Sequence, residues 1–286
     1  MATELEIKLT LTEQTQVKAL RWLRAQPEAS DGPCKVLINR YYDTADAALN
    51  DAKAALRVRE AGGRYIQTLK TQGEFVDGAH RREEWEWELP SADLDLSLLE
   101  QTSLSRQLDL TELKLAFETN FTRQVVMLNI GDAVIEVAVD TGEIVGDGAA
   151  RPLHEVEFEL KSGQPELLIT WARSLAHEVP VFLNLVSKAE QGYHLAGIYQ
   201  PKLGARSNVL SVTEFLYQLS LAWLLRAPVT FSSDSLLKIE EAAQTVGMQS
   251  VWERLVSGFG GNETVEALLQ RAPGMGELQL AIASVR

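Results

Sequence analysis

The chain has 286 residues, of which 23% are charged, and its formal net charge is −13 with a single cysteine. This acidic balance argues against general binding to nucleic acids or anionic membranes, whose protein partners usually carry a basic surface. One cysteine excludes an internal disulfide, and the sequence has neither a bilayer-spanning apolar run nor a basic leader, so we expect a cytoplasmic protein. Its length predicts two structural units.

The first predicted strand carries charge on one face only. Glu4, Glu6 and Lys8 alternate with Leu5 and Ile7, so the charged side chains project to one side and the apolar ones to the other. Taken alone, this pattern favours a half-buried strand with a solvated face. Two carboxylates and an ammonium group could also hold a divalent cation and contact a polyanion. The other strands must decide between these readings.

Strands dominate the next two-thirds of the chain. A helix is predicted over 13–25 with Thr12 as its N-cap, and a second helix over 165–177. The segment 93–107 reads as loop and short helix, and a turn is expected at Thr141-Gly142 within or after its strand. The predicted strands cover 35–43, 56–60, 65–71, 82–89, 115–117, 121–130, 133–145 and 153–161.

The remainder of the chain changes to helical periodicity. A linker is predicted at 200–208, where proline, glycine and serine are frequent. The helices predicted after it cover 212–226, 235–246, 248–257 and 263–270, with a short piece after Pro273. We therefore divide the chain into a strand-rich unit, 1–200, and a helical unit, 209–286. We expect the helical unit to have a structural role, or to bind a partner protein or a second copy of the chain.

Charge recurs on one face of strand after strand, and both signs occur. A single solvated sheet would usually mix serine, threonine and glutamine into such a face. A closed barrel with a polar interior explains the pattern better. The basic members suit phosphate oxygens, and they are Arg57, Arg59, Lys70, Arg82 and Arg123. The acidic members suit Mg²⁺ or Mn²⁺, and they are Glu4, Glu6, Asp140, Glu155, Glu157 and Glu159.

These residues lie in motifs that resemble the CYTH family, also called triphosphate tunnel metalloenzymes. Glu4-Leu-Glu6-Ile-Lys8 matches the ExExK signature of that family, and the further motifs follow in the family's order over about the first 195 residues. They are Tyr41-Tyr42-Asp43-Thr44, Leu56-Arg57-Val58-Arg59, Thr68-Leu69-Lys70, Arg123, Asp140-Thr-Gly142, Glu155-Val-Glu157-Phe-Glu159 and Ser187-Lys188-Ala189-Glu190. Within the family, the chain looks most like bacterial inorganic triphosphatases, in which a helical CHAD domain follows.

The resemblance implies an α+β fold: a closed eight-stranded antiparallel β-barrel with flanking helices, followed by a small all-helical region. It also implies roles for single residues. The phosphate-binding set is Lys8, Arg57, Arg59, Lys70, Arg123 and Lys188, to which strand parity adds Arg82. The metal-binding set for Mg²⁺ or Mn²⁺ is Asp140, Glu157 and Glu159, with Glu4 and Glu6 for a second metal or the attacking water. Glu4, Glu6 and Lys8 are accordingly the expected catalytic residues.

The alternation of side chains along a strand argues against the role implied for Arg123, and it is the sole basis for placing Trp85 and Trp87. Arg123 shares its face with Phe121 and Val125, so from the residues alone only a bulge or a strand end would turn it inward. Trp85 and Trp87 alternate with charged residues and are expected outside the barrel, covered by a helix.

The function implied by the resemblance is metal-dependent hydrolysis of inorganic triphosphate to diphosphate and phosphate. A thiamine triphosphatase or a class IV adenylate cyclase would use the same tunnel, and a non-catalytic polyphosphate-binding module is the alternative outside the enzymes. The C-terminal region lacks the histidines of CHAD domains, since the last histidine is His194. It is therefore expected to be a truncated, divergent or unrelated helical unit.

Overall fold

The computed structural model describes residues 2–71, 73–76, 78–102, 104, 108–204 and 208–285, without the side chains of residues 2, 3 and 82. Within these ranges ten strands form one antiparallel sheet. They are β1 (Ala2–Thr10), β2 (Ala29–Asp43), β3 (Ala55–Ala61), β4 (Arg64–Lys70), β5 (Glu74–Val76), β6 (Ala79–Leu89), β7 (Lys114–Ile130), β8 (Ala133–Gly146), β9 (Ala149–Ser162) and β10 (Phe182–Leu183).

Helices flank the sheet and make up the C-terminal part of the chain. Those before the linker are α1 (Glu13–Arg24), α2 (Ala48–Asp51), α3 (Glu166–Glu178) and α4 (Lys188–Leu195), with a 3₁₀ segment at Leu96–Gln101. Those after it are α5 (Val212–Leu225), α6 (Leu237–Thr245), α7 (Gln249–Val256), α8 (Val265–Arg271) and α9 (Met275–Ala283), with a 3₁₀ turn at Ser233–Leu236. None of the helices in the described ranges is long and apolar enough to cross a membrane.

The sheet curls on itself through its first strand. The strand order is β10-β1-β9-β8-β7-β2-β3-β4-β6-β5, and β1 also pairs with β6. Residues 6–10 of β1 pair with β9, whereas residues 2–6 pair with β6. Successive side chains on each strand therefore point alternately to the inside and the outside of the curl. This curled antiparallel sheet with flanking helices and C-terminal helices confirms the α+β part of the predicted fold class, and the closed eight-stranded barrel stays a prediction.

Two strand predictions are corrected by the structure. The segments predicted at 115–117 and 121–130 are one continuous strand, β7. Strand β2 begins at Ala29, earlier than the predicted start at 35, and its pairing with β7 shifts register between Asp31 and Cys34. A proline cannot donate to the ladder, so this irregularity lets the strand pass through Pro33.

The predicted turn at Gly142 is also wrong, because this residue lies inside β8. A Cβ atom at Gly142 would be 2.1 Å from the carbonyl oxygen of Asn120 on β7. The glycine therefore allows the two long strands to approach closely, which is a common use of glycine within a sheet.

Helix α4 was not predicted, although its first residues carry a recognisable start signal. Ser187 is the N-cap, and its side chain accepts a hydrogen bond from the backbone N–H of Glu190, while the Glu190 carboxylate accepts one from the Ser187 N–H. This Ser-x-x-Glu arrangement is a capping box. It fixes the direction in which Lys188, at the first helical position, enters the interior of the curl.

The outer face of the sheet is apolar and shares one core with the C-terminal helices. Ile7 and Leu9 of β1 are fully buried in this core together with residues of α3, α5 and α9. Gln279 of α9 accepts from the Leu183 N–H at 2.9 Å and donates to its carbonyl at 3.2 Å. Trp85 and Trp87 lie on the outer face, as parity predicts, and pack against a separate apolar cluster that includes Leu99 of the 3₁₀ segment.

Candidate functional site

The inner face of the curl encloses a cavity of about 510 Å³ lined mostly by charged side chains. The predicted site residues that line it are Glu4, Glu6, Lys8, Arg57, Arg59, Lys70, Arg123, Glu157, Glu159 and Lys188. Asp140 lies behind the wall rather than on it. The side chain of Arg82 is outside the described residues, and its backbone pairs with Glu4.

Strand β1 places its charged residues inside because its apolar residues are buried outside. Lys8 is only 4% exposed, and its ammonium group donates to the carbonyl of Val186. Burial lowers the pKa of Lys8 below the ordinary value, and the charge of Lys188 acts in the same direction, whereas Glu155 opposes it. The charged face of this strand is therefore an interior face, not the solvated one that alternation alone favoured.

Four charged side chains behind and beside the cavity neutralise one another, and we call them the charge-paired cluster: Arg123, Asp140, Glu157 and Lys188. Arg123 donates to both oxygens of Asp140 and to Glu157, each at 2.7 Å. The Lys188 ammonium lies 2.9 Å from Asp140 and 2.7 Å from both Glu155 and Glu157.

The charge-paired cluster stabilises the ionised form of Glu157. Burial disfavours the charge on Glu157, but Lys188 and Arg123 outweigh it and hold the pKa of that carboxyl well below its ordinary value. Burial likewise opposes the charge on Lys188, and the surrounding carboxylates of Glu155 and Glu157 raise its pKa above the ordinary value. Both shifts favour the charged forms of Glu157 and Lys188.

Asp140 is completely buried, and both of its carboxylate oxygens are already in contact with Arg123 or Lys188. It was predicted as a metal ligand. In this geometry it orients two cations, and its metal role stays a prediction.

Arg57 and Arg59 on β3 have far weaker partners, and we call them the arginine pair. Arg57 donates to the Tyr41 hydroxyl at 3.5 Å and lies 3.8 Å from Glu84. Arg59 donates to the Asn39 side-chain oxygen at 2.7 Å. Among the described residues, no carboxylate oxygen lies within 4.0 Å of the Arg59 guanidinium.

The environment of Arg59 disfavours its positive charge. Burial first, and then the neighbouring charges of Arg57 and Arg123, lower its pKa to about 9. A guanidinium group keeps its proton far more firmly than this in water. The arginine pair therefore concentrates positive charge on a buried Arg57 and a half-buried Arg59, and an anionic ligand would stabilise the charge on Arg59 that its surroundings disfavour.

Lys70 connects the basic and acidic parts of the wall. Its ammonium group lies 2.9 Å from Glu4 on β1 and 3.2 Å from Glu84 on β6. The structure thus brings together the phosphate-binding and catalytic residues predicted from distant strands.

Carboxylates on three neighbouring strands line one wall of the cavity, and we call them the acidic row: Glu4 and Glu6 of β1, Glu159 of β9 and Glu136 of β8. In the pairing register, Glu159 of β9 lies directly opposite Glu6 of β1 on one side and Glu136 of β8 on the other. The Lys161 ammonium lies 2.6 Å from Glu159 and 3.9 Å from Glu136. Burial raises the pKa of Glu159, Lys161 opposes that shift, and Glu4 and Glu136 reinforce it.

Glu136 and Lys161 were not predicted as site residues, although parity could have found both. Glu136 shares the face of Asp140 on β8, and Lys161 continues the alternation that contains Glu157 and Glu159. From the sequence, Lys161 is assigned only to the last position of the strand predicted over 153–161. In the structure it is a built-in counter-ion.

The donor chemistry of the acidic row fits a hard divalent cation, because Glu4, Glu6 and Glu159 present carboxylate oxygens to the cavity. Among the described residues, however, no three acidic, histidine or cysteine side chains are already grouped as a metal site. The contact between Lys161 and Glu159 is one reason for this. The residues thus provide suitable ligands that require side-chain movement to converge.

Arg123 points inward without a bulge in the pairing of β7 with β8. Its pairing with Asp140 lies in an uninterrupted register between β7 and β8. Phe121 shares this inner face, and the Arg123 and Lys188 charges lie 5.7 Å and 5.4 Å from its ring centroid. Phe121 also packs with Tyr193 of α4 in an apolar cluster at this end of the interior. The parity assignment was right, and the expectation that an apolar neighbour means an outer face was wrong.

The CYTH domain family model matches residues 2–193. An inorganic triphosphatase from Haemophilus influenzae is 32% identical over 196 residues, which are 68% of this chain and 55% of that protein. The chain therefore spans about half the length of this curated relative.

Two solved structures show lower similarity. A putative adenylyl cyclase from Hippeastrum, described as having a dominant triphosphatase activity, is 21% identical with a TM-score of 0.49, covering 69% of this chain and 98% of that one. A putative adenylate cyclase from Bacillus halodurans is 15% identical with a TM-score of 0.39, covering 72% and 97% respectively.

Proposed function

Because the chain belongs to the CYTH domain family, we propose that its cavity hydrolyses inorganic triphosphate to diphosphate and phosphate, inside an eight-stranded tunnel and with Mg²⁺ or Mn²⁺. One observation carries the proposal. Of the eight cationic side chains that line the cavity among the described residues, six belong to the predicted phosphate-binding set and come from five different elements, and one of these six, Arg59, has no carboxylate oxygen within 4.0 Å. The six residues are Lys8, Arg57, Arg59, Lys70, Arg123 and Lys188.

A short polyanion suits this arrangement better than a singly charged ligand. Guanidinium groups bind phosphate oxygens through a planar fork of donors, and such charge-assisted bonds are about twice as strong as neutral ones. Arg57 and Arg59 approach the cavity from β3, and Arg123 approaches from β7. A linear triphosphate would contact all three guanidinium groups and neutralise the charge that burial disfavours.

The charge-paired cluster gives the cavity a rigid part. Asp140 and Glu157 fix the positions of Arg123 and Lys188 before any ligand arrives. Cations that are already oriented stabilise charge developing on a phosphoryl group without reorganising during the reaction. We therefore assign Asp140 to positioning and Arg123 and Lys188 to phosphate binding.

The residues proposed to hold a divalent cation are Glu4, Glu6 and Glu159, since their carboxylates face the cavity. When bound, the cation neutralises charge on the phosphoryl oxygens. Glu4 and Glu6 also lie where they could accept a proton from an attacking water. Lys8, buried beside them, contacts the phosphate chain.

The similarity to the Haemophilus influenzae inorganic triphosphatase supports this choice of substrate. Thiamine triphosphate hydrolysis, cyclase activity and non-catalytic binding remain as outcomes that an assay must separate.

The test is phosphate release from inorganic triphosphate, ATP and thiamine triphosphate, each with Mg²⁺ or Mn²⁺. We expect metal-dependent release from inorganic triphosphate, and a loss of at least about a hundredfold in kcat for Glu6→Gln, because removing a positioned acid–base group typically costs that much. The matched control is Glu143→Gln, which changes an exposed glutamate outside the cavity on β8.

Three results would contradict the proposal or a part of it. No phosphate from any substrate with either metal would reject hydrolysis, and cyclic AMP formed from ATP would identify a cyclase. Full activity in Glu6→Gln would remove the role assigned to that carboxylate.

A further inference from the structure

The C-terminal helical region contributes a side chain to the cavity. Tyr217 of α5 lines it together with Lys53, which precedes β3. The Tyr217 hydroxyl lies 3.4 Å from the Tyr199 hydroxyl, and the Lys53 ammonium lies 5.3 Å from the centroid of the Tyr199 ring. We call these three residues the cavity rim. A region that sequence analysis assigned only to structure or partner binding thus forms part of the wall.

Helix α5 is held firmly at this position. The Ser220 hydroxyl, one helical turn from Tyr217 and on the same face, accepts a hydrogen bond from the Leu185 N–H at 3.0 Å. At the end of the helix, Arg151 of β9 donates to the Leu224 carbonyl at 3.0 Å and stacks on Trp223 at 4.0 Å. The Tyr217 backbone is therefore anchored to the curled sheet at two points.

Within the cavity rim, Tyr217 lies towards the Lys8 end of the charged face of β1. Lys8 contacts the Val186 carbonyl, and the adjacent Leu185 is the residue bonded to α5. Glu4 lies four residues from Lys8 along β1, a distance of about 13 Å in an extended strand. A triphosphate attacked near Glu4 and Glu6 would therefore direct its other end towards Lys8 and Tyr217.

We propose that Tyr217 is a specificity-determining residue: its ring closes the end of the cavity where an organic group would be attached, and so selects inorganic triphosphate over nucleoside triphosphates. The inference rests on the proposed function, because it takes the direction of the substrate from the position of Glu4 and Glu6. It assigns to the helical region a role in substrate selection.

The experiment compares kcat/KM for inorganic triphosphate and ATP in wild type, Tyr217→Ala and Tyr217→Phe. We expect Tyr217→Ala to raise the ATP-to-triphosphate ratio about tenfold or more, the range that steric differences in a pocket usually give. Tyr217→Phe keeps the ring and should leave the ratio within about twofold. The control is Tyr42→Ala, which removes a half-buried tyrosine that does not line the cavity.

Dissociation constants for the same two ligands, measured by calorimetry with Ca²⁺ in place of the catalytic metal, separate this inference from the proposed function. A shift of the affinity ratio towards ATP in Tyr217→Ala would support the rim's role even if no variant hydrolyses triphosphate. An unchanged ratio in both assays, for a variant that melts near the wild-type temperature, would overturn it. If Tyr217→Ala fails to fold, Tyr217→Leu takes its place, and an equal shift in Tyr217→Phe would exclude a steric role.

Discussion

The charge-paired cluster and the arginine pair lie on the same inner surface but differ in how their charges are balanced. Asp140 and Glu157 satisfy Arg123 and Lys188 at 2.7–2.9 Å. Arg59, by contrast, has an amide oxygen as its nearest described side-chain partner and a pKa lowered to about 9 by burial and by neighbouring arginines.

This difference teaches how a folded protein can keep a polyanion site ready. Buried charges that are paired hold their geometry in the absence of a ligand, and removing one member leaves the other uncompensated. Buried charges without a partner are unfavourable until an anion arrives. The first group therefore contributes to stability and orientation, and the second contributes to ligand affinity at some cost to the free protein.

The largest expected effect is on stability, and it comes from a substitution in the charge-paired cluster. Asp140→Asn keeps the shape of the side chain but leaves Arg123 and Lys188 with one fewer negative charge. Because breaking a buried ion pair from one side is strongly destabilising, we expect the free energy of unfolding to fall by about 3 kcal/mol or more. Urea denaturation followed by circular dichroism measures this change.

The control for that prediction is an exposed ion pair elsewhere in the fold. Arg24 and Asp31 lie 2.8 Å apart with side chains 44% and 64% exposed. Asp31→Asn should therefore change the unfolding free energy by less than about 1 kcal/mol. Equal losses in the two variants would show that Asp140 has no special structural role.

Replacing Arg59 of the arginine pair is expected to weaken ligand binding without lowering stability. Arg59→Met removes a half-buried charge that lacks a carboxylate partner within 4.0 Å among the described residues, so the ligand-free protein should keep or gain stability. Its affinity for inorganic triphosphate should fall about tenfold to a hundredfold, as expected for the loss of charged hydrogen bonds. Thermal melting without ligand and isothermal titration calorimetry with triphosphate measure the two quantities.

A large loss of stability in Arg59→Met would contradict the distinction between the two groups of residues. Undiminished triphosphate affinity in the same variant would show that the arginine pair is not the anion site. Arg40→Met offers a comparison, since Arg40 lies outside the cavity on β2 and contacts Glu118 and Glu60.

Much of this arrangement could be predicted from the sequence because it depends on strand parity. Alternation placed Glu4, Glu6 and Lys8 on one face, and it also put Arg123 on the face of Phe121 and Val125, where the structure has it. What alternation could not show is that an inner face changes from charged to apolar along one strand. That change depends on α4, which covers the apolar end and was not predicted.

The balance of charge was beyond sequence reasoning for a different reason. Asp140 and Glu159 both belong to alternating acidic patterns, but one is enclosed by Arg123 and Lys188 while the other faces the cavity beside Lys161. Which carboxylate forms an ion pair with a cation depends on distances between strands that are far apart in the chain. The contribution of Tyr217 was equally hidden, since the spacing of α5 predicts only an amphipathic packing helix.

The smallest expected effect concerns Lys161. It forms an ion pair with Glu159 of the acidic row, as Arg123 and Lys188 do with Asp140 in the charge-paired cluster. Its ammonium lies 2.6 Å from Glu159 and 3.9 Å from Glu136, so a divalent cation entering there must compete with it. We expect Lys161→Met to strengthen Mn²⁺ binding several-fold without substrate, because a partly exposed ion pair is worth about 1 kcal/mol or less.

Electron paramagnetic resonance of free Mn²⁺ measures this affinity directly and does not depend on turnover. Lys161→Arg retains the positive charge and should bind Mn²⁺ as wild type does, which separates the charge of the side chain from its length. Weaker Mn²⁺ binding in Lys161→Met would mean that Lys161 orders the carboxylates for the metal rather than competing with it. The acidic row would then be preorganised by its own cation, in the same way that Asp140 preorganises Arg123 and Lys188.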